Sequence, residues 1–82
     1  MDAASVRDEL RAFVARVLIR DASYPLRDDE PIISGGLIDS FALAELAVFI
    51  ERQWQVTIPD SDLTVEKMDT LDRIVARVLA AR

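Results

Sequence analysis

A chain of 82 residues with no cysteine, no histidine and a net charge of −5 excludes several kinds of protein at once. It is long enough for one domain, residues 1–82, with a thin core, because a chain this short buries only about 60 to 65 percent of its unfolded surface. The missing residue types remove disulfides, thiolate metal sites and the commonest general base, and the acidic balance argues against nucleic acid, whose phosphates are bound by clustered Lys and Arg.

The start, Met1-Asp2-Ala3-Ala4-Ser5, lacks the basic and apolar regions of a secretory signal, and no apolar run reaches membrane-spanning length. A cytoplasmic protein with no membrane contact is expected. From about Ala3 to Arg20, the apolar residues Val6, Leu10, Phe13, Val14, Val17 and Leu18 recur at spacings of three and four, which predicts an amphipathic helix. Ser5 with Asp8 resembles a capping box, and Asp2 is a rival cap. Arg7, Glu9, Arg11 and Arg16 fall on the other side and read as a solvated face.

Residues 21–38 read as a long loop, interrupted by Pro25 and Pro31 and loosened by Gly35-Gly36. Tyr24, Leu26, Ile32, Ile33, Leu37 and Ile38 are too apolar for a free linker, so the loop is expected to pack on the helices. Asp28-Asp29-Glu30 lacks the ligand spacing of a calcium loop and reads as an exposed acidic run. No metal site is expected.

The second helix is predicted over Ser40–Trp54 and carries two stripes. Leu43, Leu46, Ala47, Ile50 and Trp54 form the core stripe, with Trp54 as its terminal anchor. Phe41, Ala44 and Val48 form another, turned by about 200° at roughly 100° per residue. This second stripe is core if the long loop covers it, but flanked by Glu45 and Glu51 it reads as a docking face. Val56-Thr57-Ile58-Pro59 alternates like a strand, but Pro59 and the lack of a partner favour an extended connector. One short helix is expected within Asp60–Met68. A last helix follows, capped by Asp69 or Thr70, with Leu71, Ile74, Val75, Val78 and Leu79 as its stripe; Arg73, Arg77 and Arg82 lie off it, the last two where positive charge suits the helix dipole. The expected fold is all-α: a small four-helix bundle of three main helices and one short one, with a long first loop.

Ser40 stands where the loop meets the second helix, beside backbone N–H groups that carry the positive end of the helix dipole. A phosphate attached there is well placed. Asp39-Ser40 could equally be a plain cap. Carboxylates are plentiful, but no pair of them and no activated nucleophile is evident, so no catalytic residue is assigned. A helix-turn-helix DNA binder would need a basic recognition helix and is disfavoured by a second helix that sets Glu45 and Glu51 against Arg52 alone.

Gly36-Leu37-Ile38-Asp39-Ser40-Phe41, followed by Ala42-Leu43-Ala44-Glu45-Leu46, resembles the attachment motif of the acyl and peptidyl carrier proteins, and the helix pattern, loop lengths and Ile58-Pro59-Asp60 extend that resemblance over nearly the whole chain. The resemblance implies that Ser40 receives phosphopantetheine from coenzyme A, making the chain a phosphoprotein that holds its cargo as a thioester. It implies that Asp39 helps present the serine and that Leu37, Ile38 and Phe41 touch the arm or a partner. Phe41, Ala44, Glu45 and Val48 match positions used for docking. The implied partners are a phosphopantetheinyl transferase, an adenylating enzyme that loads the acyl or aminoacyl group, and a downstream acyltransferase, condensing or tailoring enzyme, with the carrier itself a monomer and not an enzyme. Ala42 replaces an acid common in fatty-acid carriers, and Phe41 replaces Leu, which turns the resemblance toward stand-alone aminoacyl or D-alanyl-type carriers and those of secondary-metabolite biosynthesis. The alternative is an unmodified helical interaction module that uses the Phe41, Ala44 and Val48 face.

Overall fold

A computed structural model of the chain describes residues 2–81, so the terminal Arg82, expected at the end of the last helix, lies outside the described residues, as does Met1. The elements in order are α1 (Ala3–Phe13), continued by a π-helical segment (Val14–Ile19), then α2 (Ala42–Trp54), a 3₁₀ turn (Asp60–Asp62), α3 (Val65–Met68) and α4 (Leu71–Ala81). Among the described residues there is no strand, and no helix is long and apolar enough to cross a membrane. The fold is the expected all-α bundle of three main helices and one short one.

Asp2 caps α1: its Oδ1 accepts from the N–H groups of Ala4 at 2.7 Å and Ser5 at 3.2 Å. The Ser5 hydroxyl is spent on the same carboxylate, so the alternative start at Ser5 is not used. The π segment departs from the sequence expectation. An i→i+5 turn advances each residue by less than the 100° of an α-helix, so a residue three positions on lags farther from the face of the first than it would in an α-helix. Val17, three past Val14, therefore falls short of the core and is 37% exposed, while Leu18 and Ile19 pack against the core in its place. Arg20 ends the segment in the left-handed conformation, as Gln55 ends α2.

The long loop packs as expected, with Leu26, Ile32 and Ile38 buried. Its charged residues do more than face solvent. Arg11 donates to the Leu26 carbonyl and pairs with Asp28 at 2.5 Å, and Arg7 bridges to Asp72 at 2.5 Å and Asp28 at 3.5 Å. The expected acidic run is thus divided: Asp28 ties the loop to α1, Glu30 accepts from the Tyr24 hydroxyl at 2.5 Å, and Asp29 stays exposed. Arg7 and Arg11 are likewise half-buried loop clamps and not members of a solvated face. A carboxylate with a fixed cation costs less to leave at one position than three neighbouring carboxylates repelling each other.

Asp69 is the loop's second anchor. Thr70 caps α4 through its hydroxyl, which accepts from Arg73 N–H at 3.1 Å. Asp69 turns the other way and takes the N–H groups of Ile33 at 2.8 Å and Ser34 at 2.9 Å and the Ser34 hydroxyl at 2.6 Å, while its carbonyl accepts from Ile32 N–H at 2.8 Å. Gly35 makes this turn possible: a Cβ there would lie 2.2 Å from the Pro31 carbonyl oxygen. Gly36 follows at φ +83°, a left-handed angle that glycine adopts without strain.

The core joins Val6, Leu10 and Val14 of the first helix to Leu43, Leu46 and Ile50 of α2 and to Leu71, Ile74, Val75 and Val78 of α4. Val56 and Ile58 are buried and Thr57 exposed along the extended connector. Arg77 meets Asp62 at 2.8 Å, so its charge closes the 3₁₀ turn onto α4. Trp54 is half-buried, not a deep anchor, and meets Phe49 edge-on at 5.7 Å.

Candidate functional site

Ser40 is exposed and precedes α2, which begins at Ala42, two residues later than its sequence pattern suggests. The entry is a tight 3₁₀-like turn in which the N–H groups of Ala42, Leu43 and Ala44 donate to the carbonyls of Asp39, Ser40 and Phe41, each at 3.2 Å. Asp39 makes the cap, its Oδ1 accepting from Ala42 N–H at 3.1 Å. Asp39, Ser40 and Phe41 thus form one exposed corner at the positive end of the α2 dipole.

The loop fixes where this corner stands. Ile38 N–H donates to the Ile32 carbonyl at 2.9 Å, and Ile32 is held in turn by Asp69. Burial alone raises the Asp69 carboxyl, but the bonds from the Ser34 hydroxyl and the Ser34 and Ile33 N–H groups outweigh it and hold the group below its ordinary value. The hydrogen bond from Arg11 does the same for Asp28, with Arg7 adding a second cation. Both loop anchors are therefore charged near neutral pH.

The other sequence-predicted residues divide by burial. Phe41 is 85% exposed and Val48 50% exposed, and Ala44 and Glu45 are exposed, so these four share one open side of α2. Leu37 is half-buried against the core. Ile38 is buried, and it reaches the site as part of the lining of a cleft of about 170 Å³ shared with Val17, Leu18, Arg20, Asp39, Phe41, Ala42 and Glu45.

A larger groove of about 460 Å³ runs between α2 and the first helix, lined by Phe13, Val17, Ala44, Glu45, Val48, Phe49, Arg52 and Gln53. Two of its lining residues, Phe13 and Phe49, stack on each other, their ring centroids 4.1 Å apart at an interplanar angle of 15°. Sequence reasoning missed this contribution of the first helix because regular α-periodicity assigns Val17 to the core. Its one legible signal was Phe49, an aromatic residue lying between the two stripes of α2.

The arrangement offers an unhindered hydroxyl at a helix start, with an apolar surface leading away from it and an acidic side chain at its edge.

No protein-family model matches the chain. The chain is 26% identical over 74 residues to the D-alanyl carrier protein of Streptococcus suis (strain 98HAH33), covering 90% of this chain and 91% of the relative. It is 34% identical over 50 residues to the D-alanyl carrier protein of Lactobacillus acidophilus, covering 61% of this chain and 63% of that protein. It is also 36% identical over 74 residues to the lincomycin biosynthesis protein LmbN of Streptomyces lincolnensis, where it corresponds to 90% of this chain but 26% of the longer protein.

Proposed function

We propose that this chain, a carrier-family protein by its relatives, holds an acyl or aminoacyl group as a thioester on phosphopantetheine attached to Ser40 and presents it to partner enzymes. The observation that carries the reading is the exposed Ser40 hydroxyl at the start of α2, left free because Asp39 makes the capping bond. In the attachment step, Ser40 Oγ forms a phosphodiester as its proton passes to the transferase and the adenosine bisphosphate half of coenzyme A departs. The attached group supplies the thiol, which a chain without cysteine lacks.

The chain's own residues position and present that group. The positive end of the α2 dipole favours the phosphate charge. Phe41, Ala44, Glu45 and Val48 form the side on which an adenylating enzyme and a downstream acyltransferase, condensing or tailoring enzyme dock, with a basic patch opposite Glu45. The carrier is a cytoplasmic monomer and a substrate of these enzymes, not a catalyst. D-alanyl transfer or a secondary-metabolite route is the setting that the relatives' names favour.

The test is the intact mass after incubation with coenzyme A, magnesium and a broad-specificity phosphopantetheinyl transferase. A gain of one phosphopantetheine by the wild type and none by Ser40→Ala is expected. No gain by a folded wild type beside an active transferase would favour an unmodified interaction module that binds through Phe41.

A further inference from the structure

Ser40 is held from two sides. On the helix side, α2 is anchored through Leu43 and Leu46, both buried, but its regular turns begin only at Ala42. The backbone ahead of Ala42 therefore depends on what holds the incoming loop. Asp39, Ser40 and Phe41 are exposed. Ile38 is the last residue before them that is fixed, with its side chain buried and its N–H donating to the Ile32 carbonyl at 2.9 Å.

That bond is only as firm as the segment around Ile32, and one residue of the α3–α4 junction holds that segment. The Asp69 carbonyl accepts from Ile32 N–H at 2.8 Å. Its carboxylate takes the next two residues, through Ile33 N–H at 2.8 Å, Ser34 N–H at 2.9 Å and the Ser34 hydroxyl at 2.6 Å. The turn that follows is closed by Gly36 N–H on the Ile33 carbonyl at 3.0 Å, and Gly35 sits so near Pro31 that a Cβ would lie 2.2 Å from its carbonyl oxygen. A turn this tight passes movement at Asp69 on to Ile38. The loop's other tether, Asp28 with Arg11 and Arg7, acts earlier in the chain, before Pro31.

We infer that Asp69 is a positioning residue for the modification of Ser40, acting through Ile32 and Ile38, an inference that rests on the carrier reading of Ser40. With its carboxylate in place, the Asp39–Phe41 corner stands where a transferase engages it. Without the carboxylate, residues 32–38 sample several arrangements, and the transferase binds only the fraction that keeps the corner in place. Apparent affinity falls by that fraction, while a chain once bound reacts as before. The signature is a raised KM at unchanged kcat.

The test measures both constants for the full chain with coenzyme A, magnesium and a broad-specificity phosphopantetheinyl transferase, followed by intact mass, in the wild type, Asp69→Ala, Ser34→Ala and Thr70→Ala. Thr70→Ala removes the α4 cap at the adjacent residue without touching the loop, and so controls for lost stability. Asp69→Ala is expected to raise KM about tenfold at unchanged kcat, as a competent fraction near one in ten requires. Ser34→Ala, which removes one of the three carboxylate bonds, should raise it less, and Thr70→Ala not at all. Amide exchange is the second readout: Asp69→Ala should speed it at Ile38 while Ile74 and Val75 of α4 stay protected. If Asp69→Ala does not fold, Ser34→Ala against Thr70→Ala decides. Wild-type KM in the loop variants, an equal rise in Thr70→Ala, or a fall in kcat at unchanged KM would each overturn the positioning role and leave the carrier reading standing. No mass gain by the wild type would overturn both.

Discussion

A serine that is to be modified serves best when its hydroxyl is not needed to hold the fold, and Asp39 relieves Ser40 of that task by accepting the capping bond from Ala42. The two residues should separate cleanly on substitution. Asp39→Ala should cost about 1 kcal/mol of stability through the lost cap, whereas Ser40→Ala should change the urea midpoint little and still abolish modification. A larger loss from Ser40→Ala would mean that its hydroxyl carries structure. Asp69 has the opposite character: it is 8% exposed and takes three hydrogen bonds from the loop that leads to Ser40. Asp69→Asn puts an amide where acceptors are needed and should cost about 1–3 kcal/mol, the range for leaving buried polar groups unpaired. It should also broaden the amide signals of residues 31–38 before those of α4. Uniform broadening across the chain would show that Asp69 does not act through the loop.

Among the elements, α2 is the one with two lives. Leu43, Leu46 and Ile50 are buried in the core, and Ala44, Glu45 and Val48 lie exposed on the same helix. A charge at Val48 should therefore harm recognition more than folding. Val48→Asp is expected to lower the rate of loading by the cognate adenylating enzyme at least tenfold while shifting the melting temperature by only a few degrees, since a surface substitution stays near 0.5 kcal/mol. A large fall in melting temperature with unchanged loading would make Val48 a packing residue. The two stripes of α2 were legible because regular α-periodicity holds from Ala42 to Trp54. Along the first helix the same reasoning placed Val17 inside, and the π segment moved it out. Nothing local in Val14-Ala15-Arg16-Val17-Leu18-Ile19 announces i→i+5 turns; the choice belongs to packing against the rest of the core.

Across the whole molecule, ion pairs and carboxylate hydrogen bonds join segments that the chain separates widely: Arg7 to Asp72, Arg11 to Asp28, Asp69 to Ser34 and Arg77 to Asp62. The Arg11 hydrogen bond holds Asp28 below its ordinary value, the Lys67 hydrogen bond does so for Asp62, and the Ser34 and Ile33 bonds outweigh burial for Asp69. A carboxyl whose folded value is depressed takes up protons more readily in the unfolded chain, so its contribution is complete above the unfolded value near 3.8 and is lost as pH falls through the folded one. Melting temperature is expected to hold between pH 5 and 8 and to drop steeply below about pH 4, with Asp69→Asn flattening part of that drop. A drop centred near pH 6 would contradict this, in a chain that has no histidine to titrate there. The sequence by itself determined the helical class, the approximate extents of the helices, the long first loop and the motif around Ser40, because each depends on local periodicity, caps and turn residues. Only the tertiary structure decided that Asp69 holds the loop while Thr70 caps α4, that Arg7 and Arg11 clamp the acidic run, and that Val17 turns out of the core to line a groove along α2. Those outcomes depend on which distant partner meets each side chain, and that is set by how the helices pack together and not by the spacing of residues along any one of them.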